Sequence, residues 1–244
     1  RKDAWRSEPT HERLVNWCST YGKIIPNLED ELAYLKEKHI NNLRLICMIK
    51  LLNGDFQKAQ QILLAVDPLG WKAQDHPNHV VFPFLLIAGF QLKDIPEDST
   101  LKFFTEDMKS VFIRWKGSVV NPEKEQQLYS YLDFLEQSLE INPPSEKERL
   151  GFICTLKTII LDRIQAVTEA DLEYAYEKIA NMVVAYAEAC TLANKKDKGL
   201  RFISKIRKSF INEPLFRSEL RHMVIESPLL PHMTKTGEFI ESQY

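Results

Sequence analysis

The stretch Leu43-Arg44-Leu45-Ile46-Cys47-Met48-Ile49-Lys50-Leu51-Leu52-Asn53-Gly54-Asp55-Phe56-Gln57-Lys58-Ala59-Gln60-Gln61-Ile62-Leu63 decides the fold class. Leu43, Ile46, Cys47 and Ile49 recur at the spacing of one helix face. Phe56, Ala59, Ile62 and Leu63 do the same after a tight turn at Asn53-Gly54-Asp55. Two such runs joined by so short a turn form an antiparallel helical hairpin. The plan recurs around Asn194-Lys195-Lys196, where Val183, Tyr186, Ala187 and Cys190 lead in and Phe202, Ile203 and Ile206 follow.

Outward from these hairpins the same period covers almost the whole chain, and strand-like alternation is nearly absent. Only 8 glycines occur in 244 residues, so tight β-turns are scarce, and no proline lies between Ser145 and Glu213. Helices are predicted near 10–21, 28–38, 40–53, 55–66, 78–91, 99–116, 122–140, 146–165, 169–193, 197–210 and 213–226. Several starts carry capping chemistry. Asn27 precedes the acidic turn Leu28-Glu29-Asp30, and Pro122 in Asn121-Pro122-Glu123 stands at a first helical position. Ser145-Glu146-Lys147-Glu148 is a capping box, and Thr168-Glu169-Ala170-Asp171 is a weaker version with the shorter carboxylate. The apolar stretch His79–Phe90 is expected to be the most buried helix, with Pro83 placed in its first turn. The expectation is one all-α domain over 1–244, with two sub-bundles, 1–142 and 143–244, as the alternative division.

The run Gly54-Asp55-Phe56-Gln57-Lys58-Ala59 resembles the turn and second-helix start of a tetratricopeptide repeat. There a small glycine permits the turn, the aromatic packs between helices and the alanine allows close approach. The likeness covers about one repeat. Leu43, Ile46, Cys47 and Lys50 stand where that family carries a Trp-Leu-Gly-Tyr pattern, and Pro68 comes early for the closing proline. The resemblance implies stacked antiparallel hairpins in a solenoid-like array, and it carries over no binding residues.

Composition bounds the function. Hydrophobic residues make up 44% and charged residues 27%, the balance of a globular chain. The longest apolar run, Val80 to Phe90, is far short of the roughly 20 residues a membrane span needs. Cys18, Cys47, Cys154 and Cys190 are dispersed, with no CxxC pair, and three of them sit in apolar helical stretches as small hydrophobes. A reducing intracellular compartment, the cytoplasm, fits this usage.

Signatures of catalysis are missing: there is no GxGxxG, GxxxxGK[ST], GxSxG or HExxH. Among the cysteines Cys18, with Trp17 and Tyr21 around it, is the most accessible candidate nucleophile, and its neighbours suit packing equally well. His76 and His79 have a spacing that lets two imidazoles share a metal ion, but no second pair completes a four-ligand site. The alternative is that Asp75-His76-Pro77-Asn78 caps the following helix. Glu8/His11 and Glu219/His222 have the Glu-x-x-His spacing of di-iron bundles, in a topology that does not fit one. Trp71 and Trp115 lie near helix ends, where packing is the ordinary role. No cofactor is expected.

Charge is the clearest asymmetry. The chain's formal net charge is −2, yet Lys195 to Arg221 holds nine basic and three acidic residues, a local +6 that leaves −8 for the remainder. At a helical pitch Lys198, Arg201, Lys205 and Lys208 fall in one arc, opposite Phe202, Ile203, Ile206 and Phe210. These four are the candidate contacts for an anionic partner, either nucleic-acid phosphates or an acidic protein segment; the alternative is a solvated face beside an acidic helix. With no catalytic motif, the expected role is a non-catalytic protein-interaction or scaffold module with a protein or peptide partner. The alternatives are a polyanion-associated protein using 195–221 or a helical metalloprotein.

Overall fold

The computed structural model describes residues 42–73, 75–109, 112–114, 128–234 and 236–239. The fold is all-α: α1 (Leu43–Leu52), α2 (Phe56–Leu64), α3 (Asn78–Phe90), α4 (Thr100–Lys109), α5 (Tyr131–Ile141), α6 (Glu146–Glu169), α7 (Tyr176–Leu192), α8 (Lys196–Ser209) and α9 (Pro214–Glu226). Short 3-10 turns at Gly70–Lys72 and Glu173–Ala175 join them. No described helix is long and apolar enough to cross a membrane. The predicted helices 10–21 and 28–38, with the caps at Asn27 and Asn121-Pro122, lie outside the described residues.

Three predicted helices are shorter than their periodicity suggests. The one expected as 169–193 begins only at Tyr176, after a turn at Asp171 and a short 3-10 segment. The segment expected as 99–116 stops at Lys109, and that expected as 122–140 begins at Tyr131. Between them β1 (Phe112–Arg114) and β2 (Leu128–Ser130) pair antiparallel, Ile113 opposite Tyr129. Phe112, Ile113 and Tyr129 are aromatic or β-branched residues that favour extended backbone, and the antiparallel ladder outweighs the helical period there.

The residues cluster into two compact units. The first holds the described residues up to Val66, Gly70–Val81 and Thr105–Pro144. Asn42 caps α1, its side chain accepting from the Leu45 N–H at 2.8 Å. Gly54 at φ +77° turns the chain into α2, where Phe56 and Ala59 are buried against α1, with the Cys47 Sγ 3.9 Å from the Ala59 carbonyl. Helix α5 is stitched to α1 by two hydroxyls. Tyr131 donates to the Met48 carbonyl and Ser138 to the Leu52 carbonyl, each at 2.9 Å.

The second unit holds Asp67–Leu69, Phe82–Phe104 and Ser145 onward. Helix α6 starts at the capping box read from Ser145: the Ser145 hydroxyl accepts from the Glu148 N–H, and the Glu148 carboxylate accepts from the Ser145 N–H at 2.8 Å. Thr168 is not the cap of a new helix. It lies in the last turn of α6, donating its hydroxyl to the Ile164 carbonyl at 2.9 Å, and the chain breaks three residues later at Asp171, φ +51°. Back-bonding to the preceding turn satisfies the hydroxyl without ending the helix. Helix α7 is the centre of this unit, buried along almost its whole length and packed against α6, α8 and α9. Aromatic rings tie the layers: Phe90 and Phe202 both meet Tyr186, with centroids 5.5 and 4.6 Å away, and Phe84 meets Phe152 at 5.5 Å.

The residues of α3 from Val80 to Phe90 are buried as expected, although α7 is as deeply enclosed. Pro83 is the sixth residue of α3 rather than part of its first turn. A proline there has no N–H for the His79 carbonyl, so α3 forgoes one interior hydrogen bond.

Four helix ends share one solution. After α1, α3, α6 and α7 a residue in the left-handed region (Gly54, Gln91, Asp171, Asn194) is followed by an N–H that reaches back five residues: Asp55 to Lys50, Leu92 to Ile87, Leu172 to Val167 and Lys195 to Cys190. This is the Schellman closure, which satisfies orphan carbonyls at the end of a helix. Only one of the four uses glycine, which is how a glycine-poor chain makes so many sharp turns.

Candidate functional site

Helix α8 is built by the turn at Asn194 and by a strong division of its faces. Gly199, Phe202, Ile203, Ile206 and Arg207 are buried, while Lys198, Arg201, Lys205 and Lys208 are exposed. Phe210 lies past the helix end and is half-buried. The close seat of α8 on α7 comes from Gly199: a Cβ there would stand 2.9 Å from both the Cα and the carbonyl oxygen of Ala187. With Phe202 locked against Tyr186, the outward direction of the four cations is fixed by packing.

Among the described residues none of the four cations makes an ion pair with a carboxylate. Arg201 donates from Nε to the Asp197 carbonyl at 3.1 Å along its own helix. A further cation that periodicity within one helix could not reveal packs against the same aromatic that anchors α8. Lys157 of α6 has its Nζ 5.8 Å from the Tyr186 ring centroid. Burial pushes the Cys190 thiol up to about 11, against the pull of Lys157, Lys195 and Lys198 beside it. Cys47, likewise buried, is pushed up to about 12 by the same cause, so both thiols are protonated packing groups. Cys154, expected in the core, is exposed on α6.

The other candidates are dispersed. His76 is buried, its Nδ1 accepting from the Asn78 N–H at 3.2 Å at the start of α3, and the His79 Nε2 lies 3.1 Å from the Trp71 carbonyl. The two imidazoles thus engage separate backbone groups. His222 and Glu226 form an exposed pair at 3.4 Å, one turn away from the expected Glu219 partnership. Among the described residues no three His, Cys, Asp or Glu side chains gather where they could hold a metal. Glu8, His11, Cys18, Trp17, Tyr21 and Trp115 lie outside the described residues.

One buried carboxylate was not anticipated. Glu188 is fully buried in α7 and spans two elements: it accepts from the Leu101 N–H at 3.0 Å, at the start of α4, and from the Ser227 hydroxyl at 2.7 Å, past the end of α9. Burial raises its pKa above the ordinary value, with the hydrogen bonds from Ser227, Leu101 and Thr100 opposing. A carboxylate at a helix N-terminus meets unpaired N–H groups and the positive dipole end, so Glu188 acts as a cap supplied from a distant part of the chain. The available signal was its isolation as the single charged residue between Ile179 and Leu192.

In comparisons with known proteins, no family model, curated relative or solved structure matches this chain.

Proposed function

We propose that this chain is a non-catalytic interaction module of helical hairpins that docks an acidic protein segment on the outer face of α8. The observation that carries the reading is the unpaired stripe Lys198, Arg201, Lys205 and Lys208 on a helix anchored by its other face. Stability does not account for its N-terminal part. Lys195, Lys196 and Lys198 stand at the positive end of the α8 dipole, where cations are unfavourable, and among the described residues no carboxylate pairs with Lys198. Exposed apolar side chains favour a protein partner. Tyr174, Ile211 and Leu215 are all more than half exposed and lie at the end of the unit where the Tyr176 and Phe216 rings meet, 5.9 Å apart. Acidic segments that carry leucines would use both features.

The tetratricopeptide-like reading is supported by the two hairpins α1–α2 and α7–α8, each packed helix against helix, whose turns share the closure also found after α3 and α6. Gly54 and Asn194 are both left-handed, and the Asp55 and Lys195 N–H groups close onto equivalent carbonyls. A reducing cytoplasmic setting is proposed with it, resting on the two buried free thiols.

A labelled acidic peptide with interspersed leucines, titrated by fluorescence anisotropy at low salt, is expected to bind. The quadruple Gln variant of Lys198, Arg201, Lys205 and Lys208 is expected to lose at least tenfold in affinity with unchanged helix content. Equal binding by that variant would remove the stripe from the function. Tighter binding to a nucleic-acid duplex than to the peptide would move the assignment to a polyanion partner.

A further inference from the structure

Arg207 is the one cation of α8 that turns inward. It is 8% exposed, its Nε has no hydrogen-bond partner, and among the described residues it makes no ion pair. Its guanidinium occupies the space that a Cβ on Gly237 would fill, and Gly237 at φ +94° closes a turn through its N–H to the Thr234 carbonyl at 3.0 Å. Arg221 of α9 binds that same turn, donating from Nε to the Thr234 carbonyl at 3.1 Å. Arg217, one helical turn earlier on the same face of α9, donates from Nη1 to the Ile211 carbonyl at 3.3 Å and has a buried Nε without a partner. Arg207 and Arg221 thus meet at one turn, and Arg217 lies within electrostatic reach of Arg207; the bonds that Arg217 and Arg221 make go to backbone carbonyls, and among the described residues no carboxylate pairs with any of the three.

Such a cluster is unfavourable by itself. Like charges repel, and burial removes the water that would screen them. Burial first, then Arg217 and Arg221, hold the Arg207 pKa below its ordinary value. Guanidinium forks match planar and tetrahedral oxyanions through paired N–H bonds. A carboxylate brings one negative charge, whereas a phosphate brings nearly two and three acceptor oxygens, a closer balance for three cations. We propose that Arg207, Arg217 and Arg221, beside Thr234 and Gly237, form a binding site for a phosphate group, either free phosphate or a phosphate monoester. The site is separate from the outer stripe of α8: it uses different side chains and is independent of the docking reading.

The test is calorimetric titration of the full chain with inorganic phosphate and, in parallel, with O-phosphoserine, at constant ionic strength set by chloride. One-to-one binding of either is expected, with a rise in melting temperature on adding phosphate that an equal ionic strength of chloride does not give. Arg207→Gln should weaken binding at least tenfold. Arg217→Gln, which leaves the buried Arg207 in place, should weaken it several-fold and serves if the first variant does not fold. The quadruple Gln variant of the α8 stripe should bind phosphate as the wild type does. Phosphoserine binding at least as tightly as phosphate assigns the site to esters, and its exclusion assigns the site to the free anion. No saturable heat with either probe, or Arg-to-Gln variants that bind like the wild type, would overturn the proposal.

Discussion

Replacing Gly199 by alanine tests whether backbone contact sets the α7–α8 hairpin. The added methyl would meet the Ala187 Cα and carbonyl oxygen at 2.9 Å and the Cys190 Cβ at 3.1 Å. Favourable carbon contacts begin near 3.5 Å, so α8 must move off α7 by roughly half an ångström or bend. Two of the three obstructing atoms are backbone, so no rotamer change relieves them. Overpacking a tight core costs about 1–3 kcal/mol, and this site belongs in the upper part of that range. Against it, alanine is better than glycine within a helix by about 1 kcal/mol. The net expectation is a loss of about 1–2 kcal/mol. Gly151 supplies the reference. It is exposed on α6 with nothing within 4 Å of the position a Cβ would take, so Gly151→Ala carries the propensity gain alone, about 1 kcal/mol of stabilisation. Urea unfolding followed by circular dichroism should move the two midpoints in opposite directions. A Gly199→Ala chain as stable as the wild type would refute the close approach and the packing derived from it.

Substitutions at three further positions probe single features. Gly54→Ala has room for its methyl but must hold φ +77°, so it should cost about 1 kcal/mol by urea unfolding, and Gly54→Asn should recover part of that. Tyr131→Phe deletes the buried bond to the Met48 carbonyl and should cost about 1–2 kcal/mol in the same assay. For Glu188 the folded pKa is raised, so its stabilising contribution is complete below its ordinary value near 4.5 and is lost as pH climbs through the folded value. Stability of Glu188→Gln relative to the wild type should therefore improve as pH rises from 4.5 and level off once the folded Glu188 has ionised, in urea midpoints, and a flat difference would contradict the burial argument.

What could be read from the sequence was local. Ser145 and Glu148 are three residues apart and close their capping box within one turn, so the sequence contains the whole device. The Gly54 turn and the two faces of α8 are equally self-contained. What could not be read depends on residues far apart in the chain. Helical periodicity runs through Phe112 and Tyr129, and only the presence of a pairing strand diverts them. Thr168 has the spacing of a cap, yet the hydroxyl finds the Ile164 carbonyl behind it because α6 continues. Glu188 finds its partners 87 and 39 residues away. Arg207 stands four residues after Ile203, so the helical period itself places it on the apolar face of α8; what could not be read is its meeting with Gly237 and the nearby Arg221.

The α8 stripe is rigid at the backbone and loose at its tips, and this combination sets how it can bind. Phe202, Ile203 and Ile206 fix the helix, and Arg201 is pinned to the Asp197 carbonyl. Lys198, Lys205 and Lys208 are exposed on long stems, so each contact must overcome about 0.5–1.5 kcal/mol of side-chain ordering. Exposed charges separated from a partner by more than about 8–10 Å are screened at physiological salt. The stripe should therefore speed encounter more than it prolongs the complex. Stopped-flow binding of the acidic peptide should show an association rate that falls as salt rises, with dissociation nearly constant. Lys205→Gln with Lys208→Gln should lower association and flatten its salt dependence. Should the double variant instead release the peptide faster while associating normally, the lysines would be desolvated anchors within the interface, and steering would be the wrong account of the stripe.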